Sequence, residues 1–304
     1  MAFPSDTATA ADLAVLIPSV WGERINDFFK DNAIFADFFT DRSSEVAMGG
    51  DNLVTPNLTE MSAYSKGAAT AVTLNSPTET SVVLTIDQWY EVSFNIEDKE
   101  AAQVKRSYVL QSTYAQNAGY TIGQQLESAI AGLFSGFSTT VGASSTDLAD
   151  SEIRQAIATL EAASVPGIYT GDVAFFLHPN TFWRQVQGID KFSLAINSPV
   201  NDPTAKKPAG SLYGIPVYVS PNVPNESGSN GRLNLLAHRD AIHFATAPLG
   251  VASEGGIVGS AGIRVQSNYT PEYLSTLTTA DILYGVVENR DNAAVALKSH
   301  ATNA

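Results

Sequence analysis

The sequence contains no cysteine, and only three methionines, three tryptophans and four histidines among 304 residues. Without cysteine there are no disulfides and no thiolate metal sites, so stability has to come from packing and, if the chain assembles, from partner subunits. No apolar run approaches the roughly 18 residues of a membrane-crossing helix. The start, Met1-Ala-Phe-Pro4, has neither the basic opening nor the apolar core of a signal peptide. Positive charge is also scarce: 17 Lys and Arg face 31 Asp and Glu, a net charge of −14. Such a surface repels phosphate backbones, and a sequence-specific nucleic-acid binder would need a basic face. The adjacent basic pairs Lys105-Arg106 and Lys206-Lys207 read as solvated surface charge.

Catalytic signatures are missing too. His238-Arg239-Asp240 has the letters of a kinase catalytic loop, but position 245 is Ala where that motif needs Asn, and no glycine-rich ATP loop precedes it. His238 and His243 are five apart, a poor spacing for a helical metal pair, and His178 before Pro179 reads as a turn residue capping a short helix. Gly256, Gly259 and Gly262 are spaced in threes and lack the strand–loop–helix context of a dinucleotide fingerprint. Ser135-Gly136 lacks the preceding glycine of a nucleophile elbow. Asp147, Asp150 and Glu152 are explained by a helix N-terminus, where acidic side chains suit the positive end of the dipole. No enzyme activity, cofactor or metal is therefore expected, and the sequence points to a structural protein.

What is present is a long helical pattern. Between Glu97 and Phe137, Leu110, Tyr114, Ala118, Ile122, Leu126, Ile130 and Leu133 recur at steps of three and four, as an amphipathic helix requires. Some thirty helical residues would make a rod of about 45 Å. Ala115, Gly119 and Gly123 form a second row of small residues, which predicts close approach of another backbone, because each glycine costs about 1 kcal/mol in a helix. The expected arrangement is a spine laid on a sheet.

Other elements hang from this spine. Upstream, Trp21, Ile25, Phe28 and Phe29, then Phe35, Phe38 and Phe39, make an aromatic arm that must dock on its own domain or on a neighbour. Residues 51–80 are polar and small. Thr70–Leu74 and Ser81–Ile86 read as a hairpin turning at 75–79, and Tyr90–Ile96 alternates as a strand with Val92, Phe94 and Ile96 on one side. Downstream, Asp150 caps a helix with Ile153, Ile157 and Leu160 as its buried stripe, and Val173–Leu177 is a central strand. Pro179 opens a short helix through Gln187, and Leu212–Ser220 carries Pro216, which predicts an edge strand or a bulge. Residues 146–270 read as an α/β unit inserted after the spine. Tyr273–Glu288 and Ala293–Lys298 read as a terminal hairpin that returns to the strands near 83–96.

In this order the parts resemble the major capsid proteins of tailed bacteriophages, which share the Hong Kong 97 fold. Stretches that carry the likeness are Ile17-Pro-Ser-Val-Trp21, Thr55-Pro-Asn-Leu58, Trp89-Tyr-Glu-Val-Ser-Phe94 with Ile96-Glu-Asp98, Ser193-Leu-Ala-Ile-Asn-Ser-Pro199, Tyr213-Gly-Ile-Pro-Val217 and Leu274 through Asn289. The likeness runs from about residue 12 to 298, and its specificity lies in the number and order of these stretches.

The resemblance implies an α+β fold with an N-terminal arm (1–45), an extended β-ribbon loop (46–88), a peripheral domain with the spine helix (89–145), an axial α/β domain (146–270) and peripheral return strands (271–304). It implies a shell built from copies of this chain in hexamers and pentamers around double-stranded DNA, without sequence-specific DNA binding or a membrane. Portal, scaffolding or decoration proteins would be further partners, and assembly would take place in the host bacterial cytoplasm. Trp21, Phe28, Phe29, Phe35, Phe38, Phe39, Lys66 and Pro77 are the expected assembly-interface residues. Some relatives lose an N-terminal scaffolding segment to a protease. With the arm beginning almost at Met1, the expectation is a chain without that segment or in its mature form. Some relatives also crosslink a Lys to an Asn. Lys66 lies in the loop, but no catalyst or acceptor can be assigned to it. The alternatives are an encapsulin-like cargo shell, a soluble enzyme with its site in 170–245, and an adhesion module.

Overall fold

The computed structural model describes residues 34–47, 49–58, 61–99, 107–189, 210–226, 230–250, 257–258 and 262–301. In chain order its elements are α1 (Phe35–Phe38), β1 (Thr40–Asp41), α2 (Ser43–Val46), β2 (Asn52–Asn57), β3 (Thr80–Thr85), β4 (Gln88–Glu97), α3 (Ser107–Gly132), β5 (Thr140–Gly142) and α4 (Asp150–Ala162), followed by β6 (Val173–Leu177), β7 (Gly210–Leu212), β8 (Ile215–Val219), β9 (Gly231–His238), β10 (Ile242–Ala247), β11 (Ile257–Val258), β12 (Arg264–Thr270), β13 (Ser275–Glu288) and β14 (Ala294–His300).

The spine is α3, 26 residues long, a rod of about 39 Å. Glu97, at the start of the helical pattern, belongs instead to β4, where it pairs with Ser275 of β13. Ala118, Ile122, Leu126 and Ile130 of the expected stripe are buried, while Tyr114 is exposed and Leu133 half-buried. Burying each of the larger three stabilises the fold by about 1.5–3 kcal/mol. The helix lies across β4 and β13, and Gly119 and Gly123 are buried.

Two six-stranded sheets organise the rest. In the first, β13 is the long central strand. It carries β4 on one edge, and β12 and β10 end to end on the other. The second sheet runs β5-β14-β9-β6-β8-β7. Its strand β6 is buried on both faces with a period of two. Ala174 and Phe176 enter the core shared with α1, α3 and the first sheet. Val173, Phe175 and Leu177 enter a second core under α4, with Ile153, Ile157 and Leu160. The expected central strand and the expected helix stripe are both present. The helix start differs by one residue from the expectation: Ala149, not Asp150, is the N-cap, Glu152 accepts the Ala149 N–H at 2.9 Å, and Asp150 lies in the first turn, paired with Arg154 at 3.1 Å.

The tail does not form the expected hairpin. β13 and β14 lie in different sheets. Between them Asn289 and Arg290 donate backbone N–H groups to the Ala241 carbonyl, and the chain turns through Asp291–Ala293. The segment β9–β10 makes the same crossing at Arg239–Ala241 in the opposite direction. The two crossings are antiparallel partners, with Ala237 opposite Ala294 on one side and Ile242 opposite Glu288 on the other. A doubled backbone thus links the sheets.

The ribbon also differs from its expected form. β3 pairs with β2, from Asn52 opposite Thr85 to Asn57 opposite Thr80, whereas Thr70–Leu74 has no regular structure. Leu84 and Ile86 are buried and Val83 is exposed, as the alternation required. Pro216 is not on the edge. It lies in β8, one strand in, opposite Ser211 of the three-residue β7. The hairpin turns on Tyr213 and Gly214, both at positive φ. Next to such a two-residue loop the second pair is a non-hydrogen-bonded one, so β7 does not need the N–H that proline lacks. The short helix expected after Pro179 is one π-helical turn, Thr181–Val186.

Candidate functional site

The arm root joins an aromatic cluster to a buried carboxylate. Phe35, Phe38 and Phe39 are buried in the chain's own core. Phe176 of β6 takes all three ring to ring, at centroid distances of 5.4, 5.1 and 5.3 Å. Phe134, in the 3-10 turn after α3, packs edge-on to Phe35 at 5.3 Å. Above this cluster Glu127, from α3, is 1% exposed. Its carboxylate accepts the Phe35 N–H at 2.9 and 3.2 Å and the Ala36 N–H at 3.1 Å. These are donors that a helix start leaves without a partner in its own turn. Burial pushes the Glu127 carboxyl up to about 8, against the backbone donors that pull it down.

The second feature is the projection between β2 and β3. It exposes Leu58, Met61, Tyr64, Val72 and Leu74, with Leu74 at 84%. It is bracketed by Asn75, whose Nδ2 donates to the Ser62 carbonyl at 2.8 Å and whose Oδ1 accepts the Ser62 N–H at 3.3 Å. A ribbon of two strands has too little core to stand alone. At its base a solvent-open groove of about 540 Å³ lies between Val83, Asp87, Tyr90, Gln125 and Tyr284.

The sequence-predicted interface residues fall into three sets. Lys66 and Pro77 are exposed on the projection. Phe35, Phe38 and Phe39 are inside the subunit and anchor the arm there. Trp21, Phe28 and Phe29 lie outside the described residues, as do Lys105-Arg106 and Lys206-Lys207. The sequence reading missed Glu127. The available signal was that Ala115, Gly119, Gly123 and Glu127 are one row at steps of four, so a carboxylate ended a row already read as buried.

The histidines serve the fold. His178 Nδ1 accepts the Asn180 N–H at 3.2 Å, as its expected capping role requires, and His238 Nδ1 accepts the Asp240 N–H at 3.1 Å. The His178 backbone N–H reaches buried Asn234 Oδ1 at 2.8 Å, and Asn234 in turn donates to Leu297 and Ser299 of β14. Among the described residues no three His, Asp or Glu side chains converge as metal ligands, and no helix is long and apolar enough to cross a membrane.

A family model described as phage capsid protein matches residues 78–273, well over half of the chain. No curated protein matches it. Among solved structures the chain is similar to one from Mycobacterium phage Che8 (16% identity, 88% of this chain and 91% of that one, TM-score 0.64). It is similar to the capsid of Ralstonia phage GP4 (12%, 90% and 92%, TM-score 0.65). A virus-like particle from Pyrococcus furiosus shares the fold at 10% identity (92% and 99%, TM-score 0.57). At these identities the structures show the fold, which is the Hong Kong 97-like capsid fold that the resemblance implied. The family model favours a phage capsid over an encapsulin-like shell. The chain belongs to the phage capsid protein family.

Proposed function

We propose that this chain is the major coat subunit of a tailed phage, assembling in the host bacterial cytoplasm into an icosahedral shell of hexamers and pentamers around double-stranded DNA. The observation that carries this reading is the projection between β2 and β3, which exposes Leu58, Met61, Tyr64, Val72 and Leu74 and buries none of its described residues, 58 and 61–79. An apolar surface of this kind needs a cover, and a second copy supplies one at every position of a closed shell. On this reading 46–88 is the extended loop and 1–45 the arm, 89–145 with 271–304 is the peripheral domain, and 146–270 is the axial domain, except that β10 and β12 pair with β13 in the first, peripheral sheet and β5 pairs in the second, axial one. β14 runs back into the axial sheet. Lys66 and Pro77 on the loop, with Trp21, Phe28 and Phe29 on the arm, form the intersubunit contacts. Phe35, Phe38 and Phe39 hold the arm to its own subunit. The net charge of −14 suits a wall that encloses DNA without gripping it. Portal, scaffolding or decoration proteins complete the particle, and the role is structural and not catalytic.

The test is electron microscopy of the concentrated recombinant chain, with and without excision of residues 61–76. The full chain is expected to form closed shells, and the excised chain to stay soluble without closing. A full chain that remains monomeric at every concentration, or normal shells from the excised one, overturns the reading.

A further inference from the structure

We infer that Glu127 is a proton-sensitive clamp: the root of the arm at Ile34–Phe39 docks on α3 most tightly when the Glu127 carboxyl is protonated, and loosens as that carboxyl ionises. The inference concerns the isolated subunit and does not depend on shell formation.

The geometry carries it. Glu127 is almost completely buried between α3 and α1, over the Phe35–Phe134–Phe176 cluster. A carboxylate in such a place normally has a cation beside it. Among the described residues no Lys, Arg or His pairs with it. The charged side chain that acts on it from the packed elements is Asp37 of α1, which repels a negative charge. Among the described residues, ionised Glu127 is met only by the backbone N–H groups of Ile34, Phe35 and Ala36. Those donors soften the cost of the buried charge without removing it. The balance leaves the carboxyl titrating at about 8, with burial as the largest cause and Asp37 adding to it.

When the root releases, the carboxyl faces water on α3 and returns to the ordinary range near 4.5. The docked state therefore holds a proton that the released state lacks between about pH 4.5 and 8. Docking is fully favoured below that window and is lost as pH rises through about 8, by up to about tenfold per pH unit. The segment so controlled, Ile34–Phe39, lies within the N-terminal arm (1–45) of the proposed reading.

The test is amide hydrogen exchange at Phe35 and Ala36 in the full chain, from pH 5.5 to 8.5, corrected for intrinsic exchange. The wild-type protection of these two amides is expected to fall by at least tenfold across the range, and in Glu127→Gln, a neutral isostere, to stay flat. Equal pH responses in the two proteins overturn the inference. If Glu127→Gln does not fold, the wild-type chain labelled with carbon-13 at the glutamate carboxyls decides. A buried carboxyl resonance titrating above pH 7 supports the clamp, and its absence overturns it.

Discussion

A Cβ on Gly285 would lie 2.1 Å from the carbonyl oxygen of Thr85, so β13 and the end of β3 meet backbone to backbone at this point. No side chain fits between them. Just beyond the contact, Leu84 and Ile86 enter a small core with Ala245 and Ala247, which seats the ribbon on the first sheet. Gly285→Ala is expected to lift the ribbon base and cost about 1–3 kcal/mol, as overpacking does. Gly132→Ala, at the end of α3 with nothing within 4 Å, is the control. It should be neutral or stabilise by up to about 1 kcal/mol. Urea unfolding midpoints of the two variants separate a specific close approach from general intolerance of alanine.

Asp281 joins three strands. Arg264 of β12 reaches it at 2.9 and 2.5 Å, and the Trp89 indole of β4 donates to it at 2.9 Å. The carboxylate is 3% exposed. Asp281→Asn would replace a charge-assisted pair to the part-buried Arg264 by a neutral contact, a loss of about 1.5–3 kcal/mol. Because Trp89 is itself largely exposed, its fluorescence should change with the loss. An unfolding midpoint equal to wild type would mean that the pair contributes little.

How far the sequence carried depends on the range of each interaction. The spine was legible because Ile122, Leu126 and Ile130 repeat with the helix's own period, a local signal. β6 was legible because Val173–Leu177 is apolar at every position and both faces are buried. The partner of β3 was not, since Asn52–Asn57 is short, contains Pro56 and lies beyond the segment 58–79, so a nearby turn at 75–79 looked the better closure. The path of β14 was hidden for a similar reason. Its partners, β5 and β9, are distant in sequence, and the doubled crossing at Ala241 has no composition of its own. At the arm root the phenylalanines announced burial but not where. Glu127 could be read only by extending the row of small residues one step further.

Phe176 is the point where the arm root, the turn after α3 and the second sheet meet; Tyr218 stacks on it at 5.7 Å in addition to the rings already described. Phe176→Ala is expected to cost about 3–5 kcal/mol. Phe176→Leu should cost less and should raise hydrogen exchange in 35–39 more than in α4, which packs on the opposite face of the sheet. Uniform loss of protection through both faces would mean that the arm root is not a separable unit.

His178 gives a pH dependence of the opposite sign to Glu127. Burial, with Arg232 nearby, lowers its pKa from 6.5 to about 4. The unfolded chain therefore takes up a proton below about 6.5 that the folded chain refuses until about 4. The stability contributed by neutral His178 is present above about pH 6.5 and lost as pH falls through about 4, at no more than about 1.4 kcal/mol per unit. In a Glu127→Gln background, where the carboxyl's contribution is removed, the urea midpoint should decline from pH 6.5 to 4. Adding His178→Asn, which keeps an acceptor for the Asn180 N–H, should flatten part of that decline. His238 and His243 are also depressed by burial, so the flattening should be incomplete. Parallel midpoint curves with and without His178 would show that its neutral form is not what acid removes.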